Sequence, residues 1–158
     1  MISDSEWQQI RQIVADAQRT AMHCSIATVN SKGLPSITPI GTVFLNQKTS
    51  IGFFFDTYSA TFTENLQHQP LACIQAVNTS KLFWLNALLK GKFKRYPGVR
   101  LYAEIGPLRS ATSEEIQQVE SRIRVLKWTK GSQLIWSNFH HVRDIQIYSY
   151  RWVEYPNM

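Results

Sequence analysis

Two runs decide how the chain is read: Ser36-Ile37-Thr38-Pro39-Ile40-Gly41-Thr42-Val43-Phe44-Leu45 and, after a polar turn, Ile51-Gly52-Phe53-Phe54-Phe55-Asp56-Thr57-Tyr58-Ser59-Ala60-Thr61-Phe62-Thr63-Glu64-Asn65-Leu66-Gln67-His68-Gln69-Pro70. The β-branched and aromatic segments on either side of Asn46-Gln47-Lys48-Thr49 read as strands. A hydroxyl-rich passage then opens a short helix over residues 59–69, which Pro70 stops. A helix start displays backbone N–H groups without intrahelical partners and carries partial positive charge, so it can hold a phosphate. Ser59, Thr61 and Thr63 would add hydroxyls there, making this corner a candidate for the phosphate of a flat cofactor. Plain capping is the competing reading, because Thr61-Phe62-Thr63-Glu64 has the spacing of a capping box. Upstream, Pro39 removes a ladder donor and Gly41 permits close backbone approach. That pair marks either a bulge at a sheet edge or a place where a flat ligand lies against main chain.

Residues 3–21 are predicted helical: Ser3 and Glu6 form a capping box, Ile2 and Trp7 a hydrophobic staple, and Trp7, Ile10, Ile13, Val14 and Ala17 one apolar stripe. Residues 23–30 read as a strand, Ser31-Lys32-Gly33 as a turn and residues 35–45 as a second strand. Ile51–Phe55 and Leu71–Val77 are the third and fourth strands. Lys81–Lys90 reads as a helix, followed by a basic loop. Val99, Leu101, Ala103 and Ile105 alternate along a strand over residues 99–108, and Thr112 to Glu115 open a helix that buries Ile116, Val119, Ile123 and Leu126. Residues 128–140 read as a loop, and residues 144–154 as the last strand. Its alternation breaks at Ser149 and Arg151, so neither face is plainly solvated, which points to partial cover on both sides and to a second subunit. The expected fold is mainly β (α+β): a single domain over residues 1–158, six antiparallel strands in a closed or nearly closed barrel, and peripheral helices, with residues 1–22 packed on the barrel.

Composition narrows the function classes. Apolar residues make up 44% of the 158-residue chain and aromatics 12%, which excludes disordered and fibrous classes. No apolar run reaches the ~20 residues of a membrane span. Asp4 and Glu6 stand where a signal peptide would be positive, so the cytoplasm is the expected compartment and no membrane partner is expected. Cys24 and Cys73 lack metal-ligand spacing and read as free buried thiols, and the adjacent His140 and His141 would point to opposite faces of a strand, so no metal site is expected. The net charge of +6 favours anionic partners, either nucleic acid or a phosphorylated cofactor. Lys90, Lys92, Lys94, Arg95 and Arg100 bunch together, whereas residues 49–80 contain no Lys or Arg. Aromatics interleave with these cations as in single-strand nucleic-acid binders, but a solvated loop explains the local patch more simply. Trp84, Trp128 and Trp136 read as core rather than stacking platforms.

The order of elements resembles the pyridoxamine 5′-phosphate oxidase-like, FMN-binding split-barrel superfamily, over roughly residues 23–152. Three passages carry the resemblance: Ile26 to Gly41 is similar to the family's opening hairpin, Phe53 to Pro70 to its strand, phosphate corner and helix, and Gly98 to Gly106 to its later strand before a Glu-rich helix start. The resemblance implies a homodimer with FMN at the subunit interface. The isoalloxazine would lie along Thr38, Pro39, Ile40 and Gly41, and the phosphate at Thr57, Tyr58, Ser59, Thr61 and Phe62. The family usually has a basic residue, often an Arg-Lys pair, where this chain has Thr61-Phe62, and a neutral site forfeits charge-assisted hydrogen bonds. Lys92, Lys94 or Arg100, from elsewhere in the dimer, would replace it. Flavin performs the redox chemistry in such sites, so no catalytic residue is named. The resulting expectation is an FMN-dependent oxidoreductase with a small-molecule substrate and no nucleic-acid partner. The missing basic pair motivates an alternative: a non-catalytic module that holds haem or another flavin-like cofactor.

Overall fold

The computed structural model describes residues 1–57, 59–93, 95–124 and 139–154. Helix α1 (Asp4–Ala21) precedes strands β1 (Cys24–Val29), β2 (Pro35–Ile40), β3 (Val43–Leu45) and β4 (Ile51–Phe55). Helix α2 (Ala60–His68), strand β5 (Leu71–Val77), helix α3 (Lys81–Lys90) and strands β6 (Gly98–Ile105) and β7 (Arg109–Ser110) follow, then helix α4 (Ser113–Arg124) and strand β8 (His141–Val153). The loop expected over residues 128–140 and the contact expected of Leu126 lie largely outside the described residues, as do Trp128, Trp136, Tyr58 and Lys94.

All strand pairs are antiparallel, in the order β2-β1-β5-β6-β8-β4-β3, with the two-residue β7 on β8. The ends of this path are consecutive in sequence. Laid flat at about 4.8 Å per strand they would stand about 29 Å apart, but the link Ile40-Gly41-Thr42-Val43 spans at most about 11 Å. The sheet must therefore curl until its edges approach, which makes it a split barrel. The strand count is eight rather than the expected six. The segment over residues 35–45 divides at Gly41-Thr42 into opposite edges of the sheet, and Arg109–Ser110 adds a short pairing that two residues are too few to announce. Of the options Pro39 left open, β2 takes the sheet edge: among the described residues it pairs only with β1.

The inner face is built by alternation. Ile26, Ile74, Ala76, Val99, Leu101, Ala103, Ile145 and Ile147 are buried against Trp7, Ile10, Ile13, Val14 and Ala17 of α1 and Phe62 and Leu66 of α2. Helix α1 begins as expected, with Ser3 as N-cap and Glu6 completing the capping box. Its Gln18 lies along the free edge of β3, where its amide donates to Val43 O at 3.0 Å and accepts from Val43 N at 2.9 Å, replacing a missing strand. Helix α4 covers the opposite face of β3, β4 and β8, burying Val119 and Ile123 on Phe55 and Val142. Thr112 and Glu115 form its capping box, with N–H to side-chain distances of 2.8 and 3.2 Å.

Two local expectations change. Helix α2 is capped by Ser59, whose Oγ accepts from Phe62 N at 3.4 Å, so Thr61 lies inside the helix and Thr61 to Glu64 is not a capping box. Ser59 captures the first turn because it precedes the helix with extended backbone geometry. On β8, Tyr102 pairs with Ser149 but Ala103 pairs with Ile147, so Tyr148 is the extra residue of a bulge. The bulge moves the inward phase from Ile145 and Ile147 to Tyr150 and Trp152, which pack against the core. It accounts for the broken alternation as a change of phase along β8.

Asp56 and Arg143 form a buried ion pair, Nε to Oδ2 2.5 Å with side chains 4% and 5% exposed, and Arg143 also donates to Gly106 O at 3.3 Å. Removing one member withdraws a charge-assisted contact from a buried partner. Arg143→Met is expected to cost about 3–5 kcal/mol in urea unfolding, with Asp56→Leu added to Arg143→Met recovering much of it. A loss below about 1 kcal/mol would contradict this account. Arg109 also bridges Glu115 and Asp144, at 2.7 Å to each. Its hydrogen bonds hold both carboxyls below their ordinary values of 4.5 and 3.8. This stabilisation is present above those values and fades as pH falls through the lowered ones. Glu115→Gln is therefore expected to flatten the acid limb of stability against pH.

Candidate functional site

Two polar ties hold the chain at the two ends of β2: one at the β2–β3 break, the other between the middle of α2 and the beginning of β2. At one, the Thr42 hydroxyl accepts from Phe55 N at 3.1 Å and approaches Phe55 O at 3.4 Å. This fixes Gly41-Thr42 against the residue that leads into Asp56, Thr57 and Ser59. At the other, Asn65 of α2 donates through Nδ2 to Thr28 Oγ1 at 3.1 Å and Ser36 Oγ at 3.0 Å. Thr28 and Asn65 are buried. The ties thus bring Thr42 to Phe55 and Ser36 to Asn65, residues that neighbour in sequence the two groups expected there, Thr38 to Gly41 and Thr57 to Phe62. Neither Thr42 nor Asn65 is among the site residues expected from sequence; a polar residue flanked by glycine and apolar strand residues, or by Phe62 and Leu66 on one helical face, is the signal that could have found them.

The side chains divide by face. Thr38 is half-buried beside Ile26, Ile40 is fully buried, and Pro39 is exposed on the outer face opposite Ser25. Phe62 is buried edge-to-face on Phe54, 6.1 Å between centroids, so only its backbone faces the corner. Thr57, Ser59 and Thr61 are exposed. Ser59 accepts through Oγ and keeps its O–H as a donor, and the first turn of α2 holds no acidic residue. This donor set fits a phosphate, with a helix start and hydroxyls but no cation.

Cations lie on the outer face. Pairing aligns Pro39, Ser25, Gln75, Arg100 and Arg151 in one cross-strand row, and Ile37, Ala27, Cys73, Tyr102 and Ser149 in the next. Arg100 donates through Nε to Gln75 Oε1 at 3.0 Å and stands three strands from Pro39, about 14 Å by strand spacing. Arg151 lies directly opposite Arg100, and neither forms an ion pair with a carboxylate among the described residues. Like charges directly opposite are unfavourable unless an anion joins them. The sequence reading missed Arg151 because a break in alternation hid its face. Lys92 is elsewhere, in a small pocket with Phe83, Asn86, Ala87, Lys90 and Arg95. Within one chain it is not grouped with the α2 start.

The thiols take no part in this site. Burial pushes Cys24 up to about 12 and raises Cys73, and both are free. Among the described residues no His, Cys, Asp and Glu group could hold a metal ion. Arg122, an exposed residue of α4, donates to Gln18 Oε1 and Val43 O at 3.0 Å and lies 3.8 Å from the Phe44 ring centroid; it braces the β3 edge.

No family model and no curated relative matches the chain. Solved structures do match its fold. An FMN-binding protein of Syntrophomonas wolfei superposes with a TM-score of 0.59 at 13% identity, over 95% of this chain and 93% of that one. A Lactobacillus delbrueckii protein named for pyridoxamine 5′-phosphate oxidase gives 0.52 at 14%, over 89% and 90%. HutZ of Vibrio cholerae, described as a haem storage protein, gives 0.56 at 14%, over 90% and 94%. At these identities the likeness is one of fold, and the chain has the fold of the pyridoxamine 5′-phosphate oxidase-like split barrels.

Two substitutions test the site's construction. Thr42→Val leaves the buried Phe55 N–H without its acceptor and is expected to cost about 1–3 kcal/mol, with faster hydrogen exchange at that amide and recovery in Thr42→Ser. Arg151→Glu replaces a repulsive cross-strand pair by an attractive one. It should stabilise the ligand-free protein by about 0.2–1 kcal/mol in thermal unfolding.

Proposed function

We propose that this split-barrel chain binds FMN as a homodimer and serves as a flavin-dependent oxidoreductase on a small-molecule substrate. The observation that carries the reading is the pair of ties, Thr42 to Phe55 and Asn65 to Ser36, that anchors both ends of β2 to the segment bearing α2. In this reading the phosphate lies at Thr57, Tyr58, Ser59, Thr61 and the Phe62 backbone. The ring lies along Thr38 to Gly41, with only the main chain of Ile40 in contact. The described α2 start supplies hydroxyls and N–H groups without a cation. Arg100, with Arg151 beside it, supplies the missing positive charge from the second subunit, and Lys92 is a further source. Flavin, when bound, supplies hydride or electron transfer; the chain's residues hold it, orient it and limit water.

The outer face supports the dimer. Ile37 and Tyr148 are 73% and 56% exposed there, and Cys73, Gln75, Arg100 and Tyr102 in the same rows are part-exposed. Such a face is best accounted for by a second copy. The free thiols agree with a reducing compartment, and we place the protein in the cytoplasm. We assign no nucleic-acid partner.

The cation-poor corner favours a second reading, haem binding without turnover. HutZ, with the same fold, is described as a haem storage protein.

Flavin fluorescence titration tests the assignment. A hydrogen bond to a charged group is worth about 1.5–3 kcal/mol, so Ser59→Ala with Thr61→Ala is expected to weaken FMN binding at least about tenfold. Arg100→Ala should weaken it similarly and reduce its salt dependence. Unchanged affinity in both variants would remove the phosphate assignment. Tighter binding of haem than of FMN by the unmodified protein would select the second reading.

A further inference from the structure

Helix α3 exposes an apolar ridge that the proposed site does not use. Leu82, Leu85, Leu88 and Leu89 are 74%, 52%, 72% and 77% exposed. At about 100° per residue they occupy an arc of about 120°. Phe83, Trp84 and Ala87 turn the other way, and Phe83 and Trp84 pack on Phe93 at 5.8 and 5.3 Å between centroids. The Trp84 indole donates to Asn78 O at 2.7 Å, so the helix is anchored with its leucines outward. Its sequence surroundings are basic, although in space Asp16 and Glu154 line the cavities that Arg95 also lines. No Asp or Glu occurs between Glu64 and Glu104, a stretch with Lys81, Lys90, Lys92, Lys94, Arg95 and Arg100. At the C-terminal end of the helix a pocket of about 130 Å³ is lined by Phe83, Asn86, Ala87, Lys90, Lys92 and Arg95.

We propose that α3 and the loop after it dock the protein on the surface of an anionic lipid bilayer. The leucines enter the boundary between headgroups and acyl chains, and Lys90 and Arg95 hold a headgroup phosphate in the small pocket. A ridge of apolar side chains beside cations is the pattern of a helix lying in the interface plane. Charge selects this occupant over a second copy of the chain, since an isologous contact would press two cation clusters together. The ridge is convex, whereas a protein partner's helix is usually received in a groove. No helix among the described residues is long and apolar enough to cross a membrane. The expectation of no membrane partner came from the lack of a spanning run and of a signal peptide, and neither is needed to lie on the surface.

Flotation with phosphatidylcholine vesicles, with and without about 30 mol % phosphatidylserine, tests the proposal. The unmodified protein should partition at least about tenfold more strongly to the anionic vesicles and release at about 1 M salt, where the screening length is about 3 Å. Leu85→Gln with Leu89→Gln, and Lys90→Glu with Arg95→Glu, should each lower partitioning at least about tenfold. No preference for anionic vesicles in the unmodified protein, or unchanged partitioning in folded variants, overturns the proposal. So does a leucine variant that lowers the oligomeric mass while the unmodified protein ignores vesicles, since that assigns the ridge to a contact between copies. The salt and lipid series on the unmodified protein decide the matter even where a variant fails to fold.

Discussion

The Thr42 hydroxyl bonded to the Phe55 backbone is the interaction on which the site's geometry depends. Around it the chain leaves one edge of the sheet and enters the other within two residues, Gly41 and Thr42. That connection is too short for a flat seven-strand path, so it enforces the curl of the sheet. The same hydroxyl satisfies a buried N–H that the edge strand cannot reach, and it fixes where the chain emerges toward α2. Fold closure and site placement therefore share one constraint.

Two further devices keep the split barrel from presenting open edges. Gln18 mimics a strand at β3, and Arg122 adds a second donor to the same carbonyl. At the other edge, Pro39 withholds a ladder N–H from β2, which limits pairing with other chains. The buried Asp56 to Arg143 pair joins the residue after β4 to β8. It fixes the chain just before Thr57 and Ser59, so the corner inherits its rigidity from the barrel rather than from its own loop.

Much of this was legible in the sequence for a physical reason: local patterns report local structure. The α1 capping box, Pro70 ending α2, the Leu71–Val77 strand and the Lys81–Lys90 helix each follow from residues close in sequence. What stayed hidden depends on partners far away. The division of β2 from β3 is set by sheet order, and the bulge at Tyr148 by β6. The true N-cap at Ser59 was masked by a rival spacing two residues later. In the site, the backbone-approach residues and the hydroxyls were readable, whereas Thr42, Asn65 and Arg151 were not. Their roles come from pairing across separations of 13, 29 and 37, and from a bulge that turns Arg151 onto the face of Arg100.

The central claim is that a cation-poor helix start, completed by charge from a second subunit, still grips a flavin phosphate. The most direct measurement is the visible absorption spectrum of the purified protein, taken before and after incubation with FMN and desalting. The account predicts flavin bands that survive desalting in about one equivalent per chain, as expected for a specific site. Complete loss of flavin on desalting, with retention of added haem under the same treatment, would contradict it.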